Sequence, residues 1–270
     1  MRKWLIATLA FPVTLHAFAQ VKLSGEIIQG GLVLGKTEPS AIVTFDGKPL
    51  AVSKQGDFVF GFGRDDSKKH QLDITYPDGN KETTTLTPKK RQYQIQRVEG
   101  IAKKIMNPDP KAVARAEKDS QQVRAAREIK TNYIAFAQGF IPPIEGKITG
   151  VYGSQRYYNG KPKSPHYGLD YAGKTGDPVK APANGTVTLY VPDMFYSGGT
   201  MIIDHGHGIT SSFLHLSDAY VDVGDKVSKG QIVAAVGASG RATGPHLDWR
   251  VNWFQERLDP ALVLKVIPIK

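Results

Sequence analysis

Three short stretches in the C-terminal half set histidines and acids at spacings suited to metal binding. They are His166-Tyr167-Gly168-Leu169-Asp170, Leu214-His215-Leu216 and Gly244-Pro245-His246-Leu247-Asp248. Of seven histidines in 270 residues, His166, His205, His207 and His215 fall within fifty residues, and His246 follows soon after. Zinc is held by imidazole nitrogen and carboxylate oxygen, and a catalytic zinc keeps one position open for water beside three protein donors. The chemistry in prospect is hydrolysis by a metal-activated water. Side chains two apart on a strand share a face, so His246 and Asp248 are expected to project together, with Leu247 turned away. His166 and Asp170 share a face if their segment is extended, and Gly168 lets the backbone pass close to its neighbours.

The elements that must hold these side chains read as strands and turns. From about Gly146 onward, Thr186–Val191, Thr200–Asp204, Gln231–Val236 and His246–Val251 are strand-like runs. Asn184-Gly185, Ser197-Gly198-Gly199, His207-Gly208 and Gly224-Asp225 connect them. This is an antiparallel β pattern, without βαβ alternation, Rossmann fingerprint or P-loop. Residues 21–97 also read as short strands, with tight-turn signals at Asp46-Gly47 and Pro77-Asp78-Gly79-Asn80, and suggest a small β-sandwich. His70, beside Lys68 and Lys69, is expected in a solvated loop. Between the two β regions, Asp109 is a good N-cap with Pro110 at the first helical position. The helix is expected to run to about Ala137 with a thin apolar stripe, and to act as a connecting arm.

The chain is therefore expected to be mainly β: a small N-terminal β-sandwich, a helical connecting arm and a C-terminal antiparallel sheet with a groove. The expected division is 1–19 signal peptide, 20–98 N-terminal β domain, 99–145 helical linker and 146–270 C-terminal domain. Arg2 and Lys3, the apolar run Trp4–Leu15 and Ala17-Phe18-Ala19 read as an export signal cleaved after Ala19. No later stretch approaches the roughly 18 apolar residues of a spanning helix. With no cysteine there are no disulfides, thiolate ligands or cysteine nucleophiles, so an exported chain must rely on its cores. The formal net charge of +10 attracts polyanions such as cell-wall polymers or lipid headgroups. Nucleic acid is not expected as a partner, since no recognition motif is present.

The ordered motifs from Gly146 to Pro260 resemble a known family, the lysostaphin-type (LytM-type) zinc peptidoglycan endopeptidases. The resemblance is carried by His166–Ala172, by Asp177–Val187, by Ile202–Gly208 and by Phe213–Leu216. It continues through Val223–Val227, Lys229–Gln231 and Gly237–Leu247. It implies that His166 and Asp170 are the first two zinc ligands. It also implies that His215 steadies the water or the developing oxyanion, and that His246 is the general base. The family's third ligand is a histidine, and the matching position here is Asp248. An imidazole Nδ1 and a carboxylate Oδ lie the same number of bonds from Cα, so Asp248 can stand in as a ligand. One His and two Asp would cancel the metal's two charges, where two His and one Asp leave one over. That makes Mn2+ a competitor for Zn2+.

His205 and His207 match a structural turn of that family, and Arg156 with Asn159-Gly160 is expected to border the groove. The implied function is metal-dependent hydrolysis of peptide bonds in peptidoglycan stems or cross-links. The implied place is the periplasm of a Gram-negative bacterium, with peptidoglycan as partner and another envelope protein as a possible contact of the N-terminal domain. The alternative is a non-catalytic regulator of another cell-wall hydrolase built on a degenerate version of the same fold.

Overall fold

The computed structural model describes residues 21–100, 109–129 and 131–269, so the expected export signal lies outside the described residues. The N-terminal region forms two small antiparallel sheets. One has the order β1 (Lys22–Ser24), β2 (Leu32–Lys36), β5 (Asp57–Gly61). The other runs β4 (Lys48–Pro49), β3 (Ile42–Phe45), β6 (His70–Thr75), β7 (Lys81–Leu86). The Asp46-Gly47 turn signal is met: both residues have positive φ (51° and 72°), the backbone a tight hairpin between β3 and β4 requires.

Alternation along β2 and β5 explains how this region is held. Val33, Phe58 and Phe60 face the core shared with Phe45, Phe62, Leu72 and Ile74. Leu32, Leu34 and Val59 face the other way, into the core that contains Trp249, Leu258 and Val263. The sheet is thus buried on both faces and lies between two cores. Full burial of each such side chain contributes roughly 2–3 kcal/mol.

The C-terminal region is built on a ten-stranded sheet. Its main path is β17 (Lys226–Val227), β14 (Gly185–Met194), β15 (Gly198–Gly206), β16 (Ile209–Ala219), β19 (His246–Trp253), β12 (Leu169–Ala172), β9 (Ile148–Gly150). Off that path β18 (Ile232–Val236) pairs with β16 and with β13 (Pro178–Lys180), and β20 (Glu256–Leu258) pairs with β19. β15 is buried along its whole length, because sheet and side-chain layers cover both its faces. A third small sheet joins the two halves of the chain. β8 (Ile95–Val98) pairs in parallel with β10 (Gln155–Tyr158), which forms a hairpin with β11 (Lys161–Pro162).

Two sequence expectations need correction. The helix α1 spans Pro110–Glu128, capped by Asp109 as expected, but it stops nine residues before Ala137. Beyond it the chain is tied to the β15–β16 turn. Thr131 donates from its hydroxyl to Asp204, and its carbonyl accepts from the His207 N–H. A short 3-10 turn follows at Ala135–Gln138 and buries Phe136. His70, expected in a solvated loop, is 4% exposed at the start of β6. Its ring stacks on Phe45, while Nδ1 and Nε2 contact Asp46 (2.9 Å) and Asp66 (2.8 Å). Both ring nitrogens are satisfied, which is what lets the imidazole be buried.

Candidate functional site

Antiparallel pairing of β12 with β19 puts Asp170 directly opposite Asp248, and Ala172 opposite His246. β16 lies on the other side of β19, with Leu214 opposite Asp248. His215 follows at an irregularity. The β15–β16 register moves from Met201↔Phe213 to Gly199↔Leu216, so β16 carries an extra residue there. His215 itself has φ 65°. A bulge of this kind re-aims a side chain, and a non-glycine residue at positive φ costs on the order of 1–3 kcal/mol. Leu216 stays in the apolar core, while Leu214 and His215 both line the cavity beside the site.

Two glycines make room for the carboxylates. A Cβ on Gly168 would stand 1.9 Å from Asp248 Oδ1, and one on Gly150 would stand 2.1 Å from Asp170 Oδ2. His166 precedes β12 rather than lying in it, yet its Nε2 sits 3.1 Å from Asp170 Oδ1. Those two atoms are buried and neither has a hydrogen-bond partner. Two donors bound to one zinc at about 2.0–2.2 Å lie roughly 3.3–3.6 Å apart in tetrahedral geometry, slightly wider than this pair. The orphaned pair therefore comes close to the spacing, and has the chemistry, of two ligands to one ion. One donor atom each from His166, Asp170 and Asp248 fall within 4.8 Å of one another, the one such metal-capable group among the described residues.

His215 and His246 stand beside this group with ring centroids 4.7 Å apart. His215 Nδ1 lies 2.8 Å from the Ser239 carbonyl, and His246 Nδ1 lies 2.8 Å from the Gly244 carbonyl. A carbonyl only accepts, so each Nδ1 carries a proton, and Nε2 is the ring nitrogen left for the site. Burial pushes the His215 pKa down, against the Ser239 bond and the Asp248 charge, which favours the neutral ring. His205 is fully buried between the Asn184 carbonyl and the Ser211 hydroxyl, and burial lowers its pKa to about 4. His207 is buried against Phe136. Neither joins the metal-capable group.

Sequence reasoning missed Arg250. Two residues after Asp248 on the same strand, its Nε lies 3.0 and 3.1 Å from the two Asp248 oxygens, and its Nη2 lies 2.5 Å from Oδ2. Burial alone would raise the Asp248 pKa, but the Arg250 charge and hydrogen bonds hold it well below the usual carboxylate range. The charge argument made from sequence changes accordingly. Two aspartates and one arginine carry net −1, the same as one aspartate with two neutral imidazoles. Each carboxylate oxygen has two lone-pair sites, so Asp248 can accept from Arg250 and still offer an oxygen to a metal. The i, i+2 spacing was a readable signal for this partner.

Two concavities meet at the site, and Arg250 lines both. One, about 680 Å³, runs past His166 and Asp170 and is bordered by Arg156 and Tyr158 of β10. The other, about 450 Å³, lies under α1 and reaches His215. The result is a groove in a β-sheet, with a His/Asp metal-capable cluster at its floor and two imidazoles beside it.

The comparisons with known proteins place this groove within a segment that matches a peptidase family. The chain carries a domain of peptidase family M23, matched over residues 164–260. A solved structure of an M23 peptidase from Pseudomonas aeruginosa is 27% identical with a TM-score of 0.67, and the match covers 88% of this chain and 95% of that one. The peptidoglycan DD-endopeptidase ShyA of Vibrio cholerae is 39% identical over 88 residues, 33% of this chain and 20% of that protein. The DD-carboxypeptidase/endopeptidase Mpg of Neisseria meningitidis is 34% identical over 103 residues, 38% of this chain and 24% of that protein. The chain thus matches only a fifth to a quarter of the length of these curated relatives.

Proposed function

We propose that the protein is a zinc metalloendopeptidase that hydrolyses peptide bonds in peptidoglycan stems or cross-links. The observation that carries this reading is the orphaned His166 Nε2 and Asp170 Oδ1 pair at 3.1 Å, facing Asp248. His166, Asp170 and Asp248 would hold the ion, which when bound acidifies a water and polarises the peptide carbonyl. His246 Nε2 accepts the proton from the attacking water and passes it to the leaving amine. His215 donates toward the developing oxyanion once its Nε2 is protonated, or orients the water while it is neutral. Arg250 keeps Asp248 ionised and fixes its orientation. Residues 1–19 are proposed as an export signal that delivers the enzyme to a Gram-negative periplasm, with 20–98 and 99–145 positioning the 146–270 domain on the wall.

The test is metal analysis of the mature protein paired with digestion of purified peptidoglycan. About one Zn2+ per chain is expected, with muropeptide release that a chelator abolishes and Zn2+ restores. The bidentate hold of Arg250 on Asp248 favours the second reading, a non-catalytic regulator. Metal-loaded protein that releases no muropeptide, yet accelerates another cell-wall hydrolase, would establish that reading instead.

A further inference from the structure

The concavity under α1 carries an excess of positive charge that the catalytic reading does not use. Arg124 and Arg127 of α1 face Arg241, Arg250 and Arg257 of the sheet region across a space of about 450 Å³. Arg127 is only 3% exposed. Its Nη2 donates to the Ser212 hydroxyl (3.2 Å), and its Nε is buried with no partner. Among the described residues no carboxylate pairs with Arg124, Arg127, Arg241 or Arg257, while Arg250 is paired with Asp248. The acid lining the cavity, Asp119, has its own task, accepting the Phe195 N–H at 2.7 Å. Burial pushes the Arg127 guanidinium well below its ordinary pKa, and the charges of Arg257 and Arg250 push further. Arg257 is likewise lowered, to about 10, by burial and by Arg250.

A buried guanidinium with an orphaned donor and like charges beside it is a costly arrangement without a counter-ion. Arginine's planar fork matches a carboxylate in bidentate fashion. The cavity's size falls within the range of small-ligand sites. Exposed Arg124 and Arg241 mark its rim, so it communicates with solvent. His215 lines the same cavity, which places a bound anion next to the reacting centre.

We propose that this cavity is a carboxylate-binding subsite that takes a free carboxylate of the peptide substrate beside the bond to be cut, with Arg127 as its buried anchor. The assignment rests on the peptidase reading, which makes His215 part of the reacting centre. It confines the substrate to peptides that present an unamidated carboxylate near the cleaved bond. It also gives α1 a role in specificity, since the helix supplies the anchor from outside the family-matched segment.

The experiment measures binding, so that it does not depend on catalysis. Chelated full-length mature protein is titrated with N-acetyl-D-alanyl-D-alanine, with its C-terminal amide, and with inorganic phosphate. The acid is expected to bind at least about 10-fold more tightly than the amide, the scale of one charge-assisted hydrogen-bonded contact. Arg127→Gln should weaken the acid about 10- to 100-fold and leave the amide unchanged. Arg241→Gln, at the exposed rim, guards against a folding defect in the first variant and should weaken the acid by a smaller factor. Equal binding of acid and amide, or indifference to both substitutions, overturns the proposal. Phosphate binding more tightly than the acid overturns it too, in favour of a phosphate site. If acid-selective, Arg127-dependent binding is found but the metal-loaded protein cuts no peptidoglycan, the subsite stands and the peptidase reading alone falls.

Discussion

Replacing Arg250 with Gln tests the electrostatic account of the site at its centre. Asp248 is 3% exposed and stands opposite Asp170 on the neighbouring strand. Its counter-charge within the protein is Arg250, through contacts of 2.5, 3.0 and 3.1 Å. Breaking a buried ion pair by removing one partner costs about 3–5 kcal/mol, because the other charge is left uncompensated. The Arg250 side chain is 24% exposed, which puts the loss near the lower end, about 3 kcal/mol. For a chain of this size that is a fall in Tm of roughly 6–12 °C. A divalent cation replaces the missing positive charge, so the rise in Tm on adding Zn2+ should be larger in Arg250→Gln than in the parent. The pH dependence carries a definite sign. Asp248 has a depressed folded pKa, so its contribution is fully present above the unfolded value near pH 4 and is lost as pH falls through the folded value. The gap between parent and variant should therefore close in acid, where a protonated Asp248 needs no partner. The double variant with Asp248→Asn should recover much of the loss. Calorimetry of chelated and Zn2+-loaded protein between pH 3 and 8 provides the assay. A chelated Arg250→Gln that melts within about 1 °C of the parent at pH 7 would refute the reasoning.

His166→Ala and Asp170→Ala should each abolish metal binding, whereas His246→Ala should retain the metal and lose roughly 100-fold in rate. Equal metal loss in all three, measured by metal analysis, would mean the roles are misassigned. Asp248→Asn should weaken Zn2+ binding sharply, since a neutral amide is a poor donor, and Asp248→His should keep the ion. Unchanged affinity in Asp248→Asn, by titration against a competing chelator, removes Asp248 from the ligand set. Gly168→Ala puts a methyl 1.9 Å from Asp248 Oδ1 and should lower both Tm and metal affinity, read by the same calorimetry. His205, neutral in the fold with a pKa lowered to about 4, contributes stability that is present above about pH 6.5 and lost toward pH 4. His205→Gln should flatten the stability profile across that interval in thermal melts taken at successive pH values.

Much of the site was legible in local pattern. Strand periodicity is two, so His246 and Asp248 could be placed on one face with Leu247 opposite, and Leu247 is indeed wholly buried. Asp46-Gly47 and Asp109-Pro110 announced a hairpin and a helix start because their backbone and capping preferences act within a few residues. Other features depended on which distant surfaces meet. The end of α1 was misjudged because no Gly or Pro interrupts the run to Ala137, whereas the chain beyond the helix is tied through the Thr131 hydroxyl to Asp204, far along the chain. His70 looked solvated among lysines until Asp46 and Asp66 were brought to both its nitrogens. The parallel pairing of β8 with β10 joins segments some sixty residues apart and has no periodic signature of its own. Spacing and the family resemblance pointed to Asp248, but tertiary packing set its electrostatic surroundings, by placing the Arg250 guanidinium against it and leaving Arg127 and Arg257 without a carboxylate partner among the described residues. Periodicity and turn chemistry are properties of neighbouring residues, whereas charge compensation and burial are sums over everything the fold brings within a few ångströms.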